Sequence, residues 1–209
     1  MESRWGTGRM EAFSDGVFAI AITLLVLDIR VPPAEFSDLW SGIAKEWPAY
    51  LAFATSFTTI GGIWLAHHAM VRRLQFANPR VMQINLLLLM AVSFLPFPTK
   101  LVAEAIRDPD AERAAVIFYG ACLLVIQILL ASIWIAAARD RSLLRPEVTD
   151  AEVNAIMRAA TPNLGFYAGV IVLAFVAPKV AAFGYLVIAV MAVMRARGDQ
   201  INAPATSAA

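Results

Sequence analysis

Apolar runs long enough to cross a lipid bilayer recur along this chain between Gly16 and Met194, and no other feature constrains its fold as strongly. Of the 209 residues, 60% are hydrophobic and 16% are charged, and the mean hydropathy is +0.68. Soluble domains are typically about half apolar and about a quarter charged. The composition therefore excludes a soluble globular enzyme and predicts a polytopic membrane protein.

The spacing of the runs predicts an all-α protein with about six transmembrane helices. The apolar stretches cover roughly residues 13–31, 48–70, 81–102, 113–138, 162–176 and 180–194. Prolines in Leu95-Pro96-Phe97-Pro98 are expected to kink or end the third helix, and Ala177-Pro178-Lys179 predicts a tight reversal between the last two. The polar segment from Arg139 to Ala160 is expected to carry a short surface helix.

Basic residues are distributed unevenly between the two ends of the predicted helices. Eleven of the seventeen lysines and arginines fall on the side that holds both termini, and six fall on the other. Since Lys and Arg near span ends are retained on the cytoplasmic side, we expect both termini in the cytoplasm. The protein is then a multi-pass protein of the cell (plasma) membrane.

The residue patterns of a metalloenzyme or a nucleic-acid binder do not occur in the sequence. Seventeen basic and sixteen acidic residues nearly cancel and form no long block of one sign, which argues against a nucleic-acid partner. The single cysteine, Cys122, can form no internal disulfide, and there is no CxxC or HExxH pattern. We therefore expect no cofactor, no catalytic residue and no enzymatic activity.

The first apolar helix carries two carboxylates that are unusually close together for a membrane span. Asp15 and Asp28 are thirteen residues apart, or about 20 Å along a helix, against a hydrocarbon thickness of about 30 Å. A carboxylate at that depth needs a polar partner or water, so we expect this helix to lie inside the assembly. The alternative is that both side chains reach the headgroups while the bilayer thins.

One face of the same helix is aliphatic. At about 100° per residue, Ile20, Leu24 and Leu27 lie within about 60° of one another, and Asp15 lies about 140° from Ile20. Thr23 is the only hydroxyl near this stripe. The stripe could line a central axis, or it could pack against other helices, which is the commoner role of such faces.

Few polar residues are available as partners for Asp15. Those predicted at its level of the membrane are Arg9, Ser14, Trp64, His67, His68 and Asn85. A network joining Asp15 to Arg9, a histidine and Asn85 would satisfy charges that lipid penalises. Proton handling by Asp15 and a histidine is the alternative interpretation.

The start of the helix resembles a family signature. Arg9-Met10-Glu11-Ala12-Phe13-Ser14-Asp15 is similar to RxxxFSD, which opens the first helix of the transmembrane protein 175 family, the lysosomal and prokaryotic potassium channels. The similarity continues to Ile29, and residues 64–68, Asn85 and residues 93–97 also resemble the family.

The resemblance implies a potassium channel with six helices per repeat and no TVGYG carbonyl filter, a sequence that this chain lacks. The first helix would line the pore, with hydrophobic gating rings at Ile20, Leu24 and Leu27 and polar lining at Thr23 and Asp28. The implied packing and coupling network comprises Arg9, Phe13, Ser14, Asp15, Trp64, His67, His68 and Asn85. His67 is favoured over His68 as its histidine.

One signature per chain implies a homotetramer with a central pore. Residues 1–199 would form the six-helix transmembrane channel domain, and residues 200–209 a disordered C-terminal tail. The expected partners are potassium ions, the lipid bilayer and the other subunits, with no metal beyond the permeating potassium. Selectivity for potassium over sodium is expected to be modest, because it would rest on dehydration and the Thr23 hydroxyls.

Two other classes of function stay open at this point. One is a proton-coupled transporter that uses Asp15 and a histidine. The other is a non-conducting scaffold in which the aliphatic stripe only packs.

Overall fold

The computed structural model describes the backbone of residues 5–201, and the side chains of these residues except 159–163 and 195–201. The eight α-helices in this range are α1 (Gly8–Leu24), α2 (Leu39–Lys45), α3 (Trp47–Val71), α4 (Pro79–Phe94), α5 (Pro96–Ala105), α6 (Pro109–Arg139), α7 (Asp150–Ala174) and α8 (Pro178–Ile201). Short 3-10 helices cover Leu25–Asp28, Pro33–Asp38 and Arg141–Leu143. The two-residue strands β1 (Trp5–Gly6) and β2 (Phe76–Ala77) pair antiparallel.

Four helical segments among the described residues are long and apolar enough to cross a membrane. They are Gly8–Asp28, Trp47–Val71, Pro79–Ala105 and Pro109–Arg139. Two shorter apolar segments, Leu164–Ala174 and Pro178–Met194, coincide with the fifth and sixth predicted runs. The prediction of a helical, multi-pass membrane protein is therefore confirmed, and the count of six spans stays a prediction.

Proline sets two of the helix boundaries where the sequence predicts them. Helix α4 ends at Phe94 and α5 begins at Pro96, because the proline ring has no amide to continue the hydrogen-bond ladder. Helix α8 begins at Pro178 after a three-residue turn, so α7 and α8 form the expected hairpin.

Side-chain caps set the starts of three of the long helices. Asn78, Asp108 and Thr149 accept hydrogen bonds from first-turn amides of α4, α6 and α7 respectively. Because α7 starts at the Thr149 cap and runs for 25 residues, residues 150–160 belong to a long helix, and the short helix in the predicted segment is the three-residue 3-10 helix Arg141–Leu143. At the other terminus, α8 extends two residues past residue 199, the predicted domain boundary. The rest of the predicted tail, residues 202–209, lies outside the described residues.

The helices pack around a core to which every long helix contributes. Helix α1 contacts α3 and α4, and α3 contacts α5 and α8, while α6 packs against α4, α5 and α7. The largest fully buried apolar side chains are Phe18, Leu25, Ile60, Leu74, Leu88, Leu95, Leu123, Ile126, Ile133, Leu143 and Tyr185. Helix α1 therefore has neighbours within the chain on one side only.

The bundle has two chemically distinct ends. One holds β1, β2 and the α6–α7 connection; we call it the arginine-rich end. There Arg73 Nε donates to Glu152 Oε1 at 2.6 Å, and Leu74 and Leu144 form an isolated β-bridge. The other, which we call the opposite end, holds α2 and the 3-10 turn Leu25–Asp28.

Candidate pore helix and its buried network

Helix α1 has one buried face and one exposed face. Its buried residues recur every three or four positions, as expected for a single helical face, and are Met10, Ser14, Phe18 and Ala21, continued by Leu25. The predicted stripe lies on the other side, with Ile20 60%, Leu24 41% and Leu27 58% exposed. The helix is thus held to its own chain along one side and leaves an aliphatic side uncovered.

The change from α-helix to 3-10 helix at Leu25 alters the direction of the last residues. A 3-10 helix turns by about 120° per residue, so Leu27 comes almost directly above Leu24 instead of about 60° away. Asp28 is then rotated by about 120° from Leu27. The 3-10 turn keeps the two leucines in one line and moves the carboxylate off that line.

A buried polar chain joins α1 to α3 and α4. Asn85 Nδ2 donates to Ser14 Oγ at 3.1 Å, and Asn85 Oδ1 lies 2.8 Å from His67 Nε2. With the amide in this orientation, His67 Nε2 is the donor. The three residues are at most 2% exposed, and Ser14 Oγ completes its bonding by donating to Met10 O at 2.8 Å. All of these polar groups are paired, so the hydrogen-bonded chain of Ser14, Asn85 and His67 fixes the relative positions of three helices.

Asp15 is bound by a tryptophan. Trp64 Nε1 donates to Asp15 Oδ1 at 2.8 Å, and the two residues are partly buried where α1 meets α3. One turn closer to the arginine-rich end, His68 Nδ1 lies 3.3 Å from Glu11 Oε1, and the His68 ring lies 5.5 Å from the Trp64 ring. The two histidines therefore differ in their contacts: His67 bonds to Asn85 of α4, and His68 lies beside Glu11 of α1.

Two signature residues stand apart from these contacts. Arg9 is exposed and makes no hydrogen bond or ion pair with any described residue, so the expected Arg9–Asp15 contact is not formed. The two positions are six residues apart, which places them about 120° apart on the helix. Trp64 takes the place expected for the arginine. Phe13 is exposed too, and lies within about 20° of Ile20 on the aliphatic side.

The two polar residues predicted to line a pore differ in their bonding. Thr23 Oγ1 is exposed and donates to Ile20 O at 2.9 Å, which leaves its oxygen as an outward-facing acceptor. Asp28 is half-buried, and its Oδ1 lies 4.0 Å from Lys100 Nζ on α5. Asp28 and Lys100 also line a cavity of about 330 Å³ at the opposite end of the bundle, together with Glu104 and Arg107.

A second buried polar cluster was not predicted from the sequence. Ser56 Oγ on α3 lies 2.7 Å from Thr99 Oγ1 on α5 and 3.0 Å from the Tyr119 hydroxyl on α6. These hydroxyls border a small cavity of about 30 Å³, which is large enough to hold water. The cluster joins three helices in the half of the bundle away from the Ser14 chain.

Glu11 and Lys100 are the charged residues of the site that the sequence reasoning missed. Glu11 lies inside the signature run, four residues before Asp15, so helical spacing alone places it on the side of α1 that faces α3. Lys100 follows the Pro96 and Pro98 break, and no local pattern links it to Asp28. No cluster of three or more His, Cys, Asp or Glu side chains suited to a metal ion occurs in the part of the chain that the structure describes.

Known proteins are similar to this chain in sequence, and a solved structure is similar to it in fold. A potassium channel of Chamaesiphon minutus is 43% identical over 173 residues, covering 81% of this chain and 85% of that protein. A potassium channel of Streptomyces collinus is 38% identical, covering 77% of this chain and 79% of that protein. The crystal structure of a lysosomal potassium-selective channel TMEM175 homolog from Chamaesiphon minutus superposes with a TM-score of 0.82 at 40% identity, covering 91% of this chain and 97% of that one.

The fold is that of a multi-pass helical membrane protein, and the proteins to which it is similar are named as ion channels. The profile described as "Endosomal/lysosomal potassium channel TMEM175" matches residues 9–96, which contain α1, α3 and α4 and hence all of the residues in the Ser14 and Asp15 contacts. The chain belongs to the TMEM175 family, as the signature at Arg9–Asp15 predicts.

Proposed function

We propose that this protein is a potassium channel, not an enzyme, in which four identical chains place α1 around a central pore in the cell membrane. The observation that carries the proposal is the exposed stripe of Ile20, Leu24 and Leu27, on a helix whose opposite side is bound to its own chain. A stripe of this kind encloses a path only when symmetry-related copies meet. The names of the Streptomyces collinus and Chamaesiphon minutus relatives, both potassium channels that align over about four fifths of their length, support the choice of ion. Animal relatives named as endosomal/lysosomal proton channels align over less than a third of theirs.

Rings of aliphatic side chains gate by wetting. Four isoleucines at position 20 would exclude water when the ring is narrow and admit a partly hydrated ion when it is slightly wider. The free lone pairs of Thr23 would offer an oxygen ligand one turn further along. Selectivity for potassium over sodium is then modest, because no cage of carbonyl oxygens replaces the hydration shell.

The charges at the two ends of the bundle support one orientation in the membrane. The arginine-rich end would face the cytoplasm, with both termini on that side of six spans. Asp28 and Lys100, at the opposite end, would then lie near the outer mouth. Leu27 would form the last aliphatic ring below them.

The contacts give no support to the alternative of a proton-coupled transporter. Among the described residues, Asp15 accepts a hydrogen bond from Trp64 and His67 bonds to Asn85, and no direct hydrogen bond joins Asp15 to either histidine. A relay would need such a connection, directly or through water. We therefore favour a structural role for both groups.

The test is single-channel recording of the purified protein in bilayers, with potassium and sodium exchanged. Wild type is expected to conduct potassium, and Ile20→Ala is expected to conduct more and close less completely, since it lowers both the steric and the dewetting barrier. Val172→Ala is the matched control, because Val172 is 67% exposed on α7, outside the proposed pore.

An absence of potassium current from folded wild-type protein would overturn the proposal. Equal conductance in Ile20→Ala and wild type would remove Ile20 from the narrowest point. A transporter would instead show saturating flux far below that of a channel.

A further inference from the structure

Asp28 points away from the aliphatic line on which the proposed pore depends. The 3-10 winding of Leu25–Asp28 rotates Asp28 by about 120° from Leu27. Its side chain is 30% exposed and faces the cavity of about 330 Å³ that lies between the end of α1, the start of α3 and α5. The carboxylate therefore lies close to the outer end of the pore helix without belonging to its rings.

Lys100 is placed between two carboxylates in that cavity. Its Nζ lies 4.0 Å from Asp28 Oδ1 and 3.9 Å from Glu104 Oε1. Both distances are longer than a charge-assisted hydrogen bond of about 2.8 Å, so the ammonium compensates charge without being fixed by a close contact. The side chain is 48% exposed, and the cavity is open to water.

The other cations of the cavity are engaged elsewhere. Arg30 Nε donates to Leu27 O at 3.0 Å. Arg107 donates to Lys45 O and lies 4.0 Å from Glu46. Among the described residues, Lys100 is thus the cation that pairs with Asp28.

The cavity is electrically balanced as a whole. Its three acidic residues, Asp28, Glu46 and Glu104, are matched by Arg30, Lys100 and Arg107. Neutralising Lys100 would leave one uncompensated negative charge beside the end of each pore helix. Fourfold symmetry would multiply that charge by four around one mouth.

We propose that Lys100 sets the potassium conductance by cancelling the charge of Asp28 at the outer mouth. This inference rests on the proposed channel function. Uncompensated charge of one sign at a cleft raises the local concentration of counter-ions. Removing the ammonium therefore increases the supply of potassium to the pore, and leaves the aliphatic rings and their selectivity unchanged.

The experiment compares Lys100→Met with Lys100→Arg and wild type at two ionic strengths. The Debye length falls from about 14 Å at about 0.05 M salt to about 3 Å at about 1 M. At the lower concentration, Lys100→Met should raise inward potassium conductance about two- to fivefold. At the higher concentration the difference should vanish, and Lys100→Arg should match wild type at both. Asp28→Asn, added to Lys100→Met, should return the conductance to the wild-type value.

A charge can also be restored in the same channel molecule. Lys100→Cys, in a Cys122→Ala background, provides a single reactive thiol. A cationic methanethiosulfonate reagent should lower the low-salt conductance, and an anionic one should raise it. Cys122→Ala alone, treated in the same way, should not respond.

Several results would overturn the inference. One is equal low-salt conductance in Lys100→Met and wild type. Others are an increase in conductance that persists at about 1 M salt or in the presence of Asp28→Asn. A further one is an equal response of Lys100→Cys to the cationic and the anionic reagent. If Ile20→Ala still raises the conductance, each of these results rejects the role of Lys100 and leaves the proposed channel function standing. A protein that carries no potassium current in any variant rejects the proposed function and this inference with it.

Discussion

The hydroxyl oxygen of Tyr185, on α8, covers Gly120, on α6, so closely that a β-carbon at residue 120 would stand 1.9 Å from it. The Tyr185 ring cannot easily withdraw, because it lies 5.4 Å from the Tyr119 ring and 6.5 Å from the Tyr167 ring. Three helices meet at this point, and glycine is the residue that permits their approach.

Gly120→Ala should therefore destabilise the protein by about 1–3 kcal/mol, the usual cost of overpacking a close-packed interior. The measurement is the melting temperature of purified protein in detergent. Gly169→Ala, in α7, is the matched control, because a β-carbon there meets no atom within 4 Å. It should leave the melting temperature unchanged or slightly higher, since alanine favours helix over glycine. Equal losses in the two variants would contradict the packing argument.

Asn85→Ala should lower stability by about 1–3 kcal/mol, because it leaves the buried His67 Nε2–H without an acceptor. Ser14 Oγ also loses its donor from α4. Thermal unfolding and the yield of assembled protein measure the effect. Asn154→Ala, at an exposed position of α7, is expected to change neither. An Asn85→Ala protein as stable as wild type would show that this hydrogen-bonded chain contributes little.

Trp64→Phe should be more damaging than Asp15→Asn. The phenylalanine removes the donor and leaves a partly buried carboxylate unpaired, whereas asparagine keeps an oxygen that can still accept from Trp64 Nε1. The expected cost of Trp64→Phe is about 1–3 kcal/mol, and that of Asp15→Asn is smaller. Thermal unfolding of the two variants gives the ranking, and the reverse ranking would mean that charge at Asp15 matters more than the hydrogen bond.

Ion selectivity should survive Asp15→Asn. Asp15 lies about 140° from Ile20 around α1, and its carboxylate accepts a hydrogen bond from Trp64 on α3. The potassium-to-sodium permeability ratio of Asp15→Asn channels that still open should equal the wild-type ratio. A large change in that ratio, with normal assembly, would place Asp15 in the ion path.

Chemical cross-linking in lipid should yield species up to four subunits and no larger. The reason is the single signature per chain and the uncovered stripe on α1. Gel electrophoresis after cross-linking, with mass measurement of the largest species, gives the count. A limit of two subunits in a conducting preparation would reject the tetramer.

Local chemistry made two of the helix boundaries predictable. The break at Pro96 and the turn at Pro178 follow from a missing amide, and the two faces of α1 follow from helical periodicity. The start of α7 was misplaced because the Thr149 cap was not recognised as the beginning of a long helix.

Long-range contacts were harder to predict, because they depend on how helices turn toward one another. Asn85 and a histidine were expected near α1. The sequence could not decide whether Arg9 or Trp64 donates to Asp15, because both side chains carry N–H donors; in the structure the donor is Trp64. The 3-10 winding at Leu25–Asp28, which aligns Leu24 with Leu27 and directs Asp28 toward Lys100, has no sequence signature in this chain beyond Pro32 and Pro33 downstream.

The pairing of Trp5–Gly6 with Phe76–Ala77 attaches the residues before α1 to the connection between α3 and α4. The β2 segment follows Leu74, whose bridge to Leu144 ties the same turn to the α6–α7 connection. A displacement of β1 would therefore reach two distant parts of the chain and the start of α1 together. Fusion partners or truncations at this terminus would therefore disturb the start of α1 as well as the strand itself.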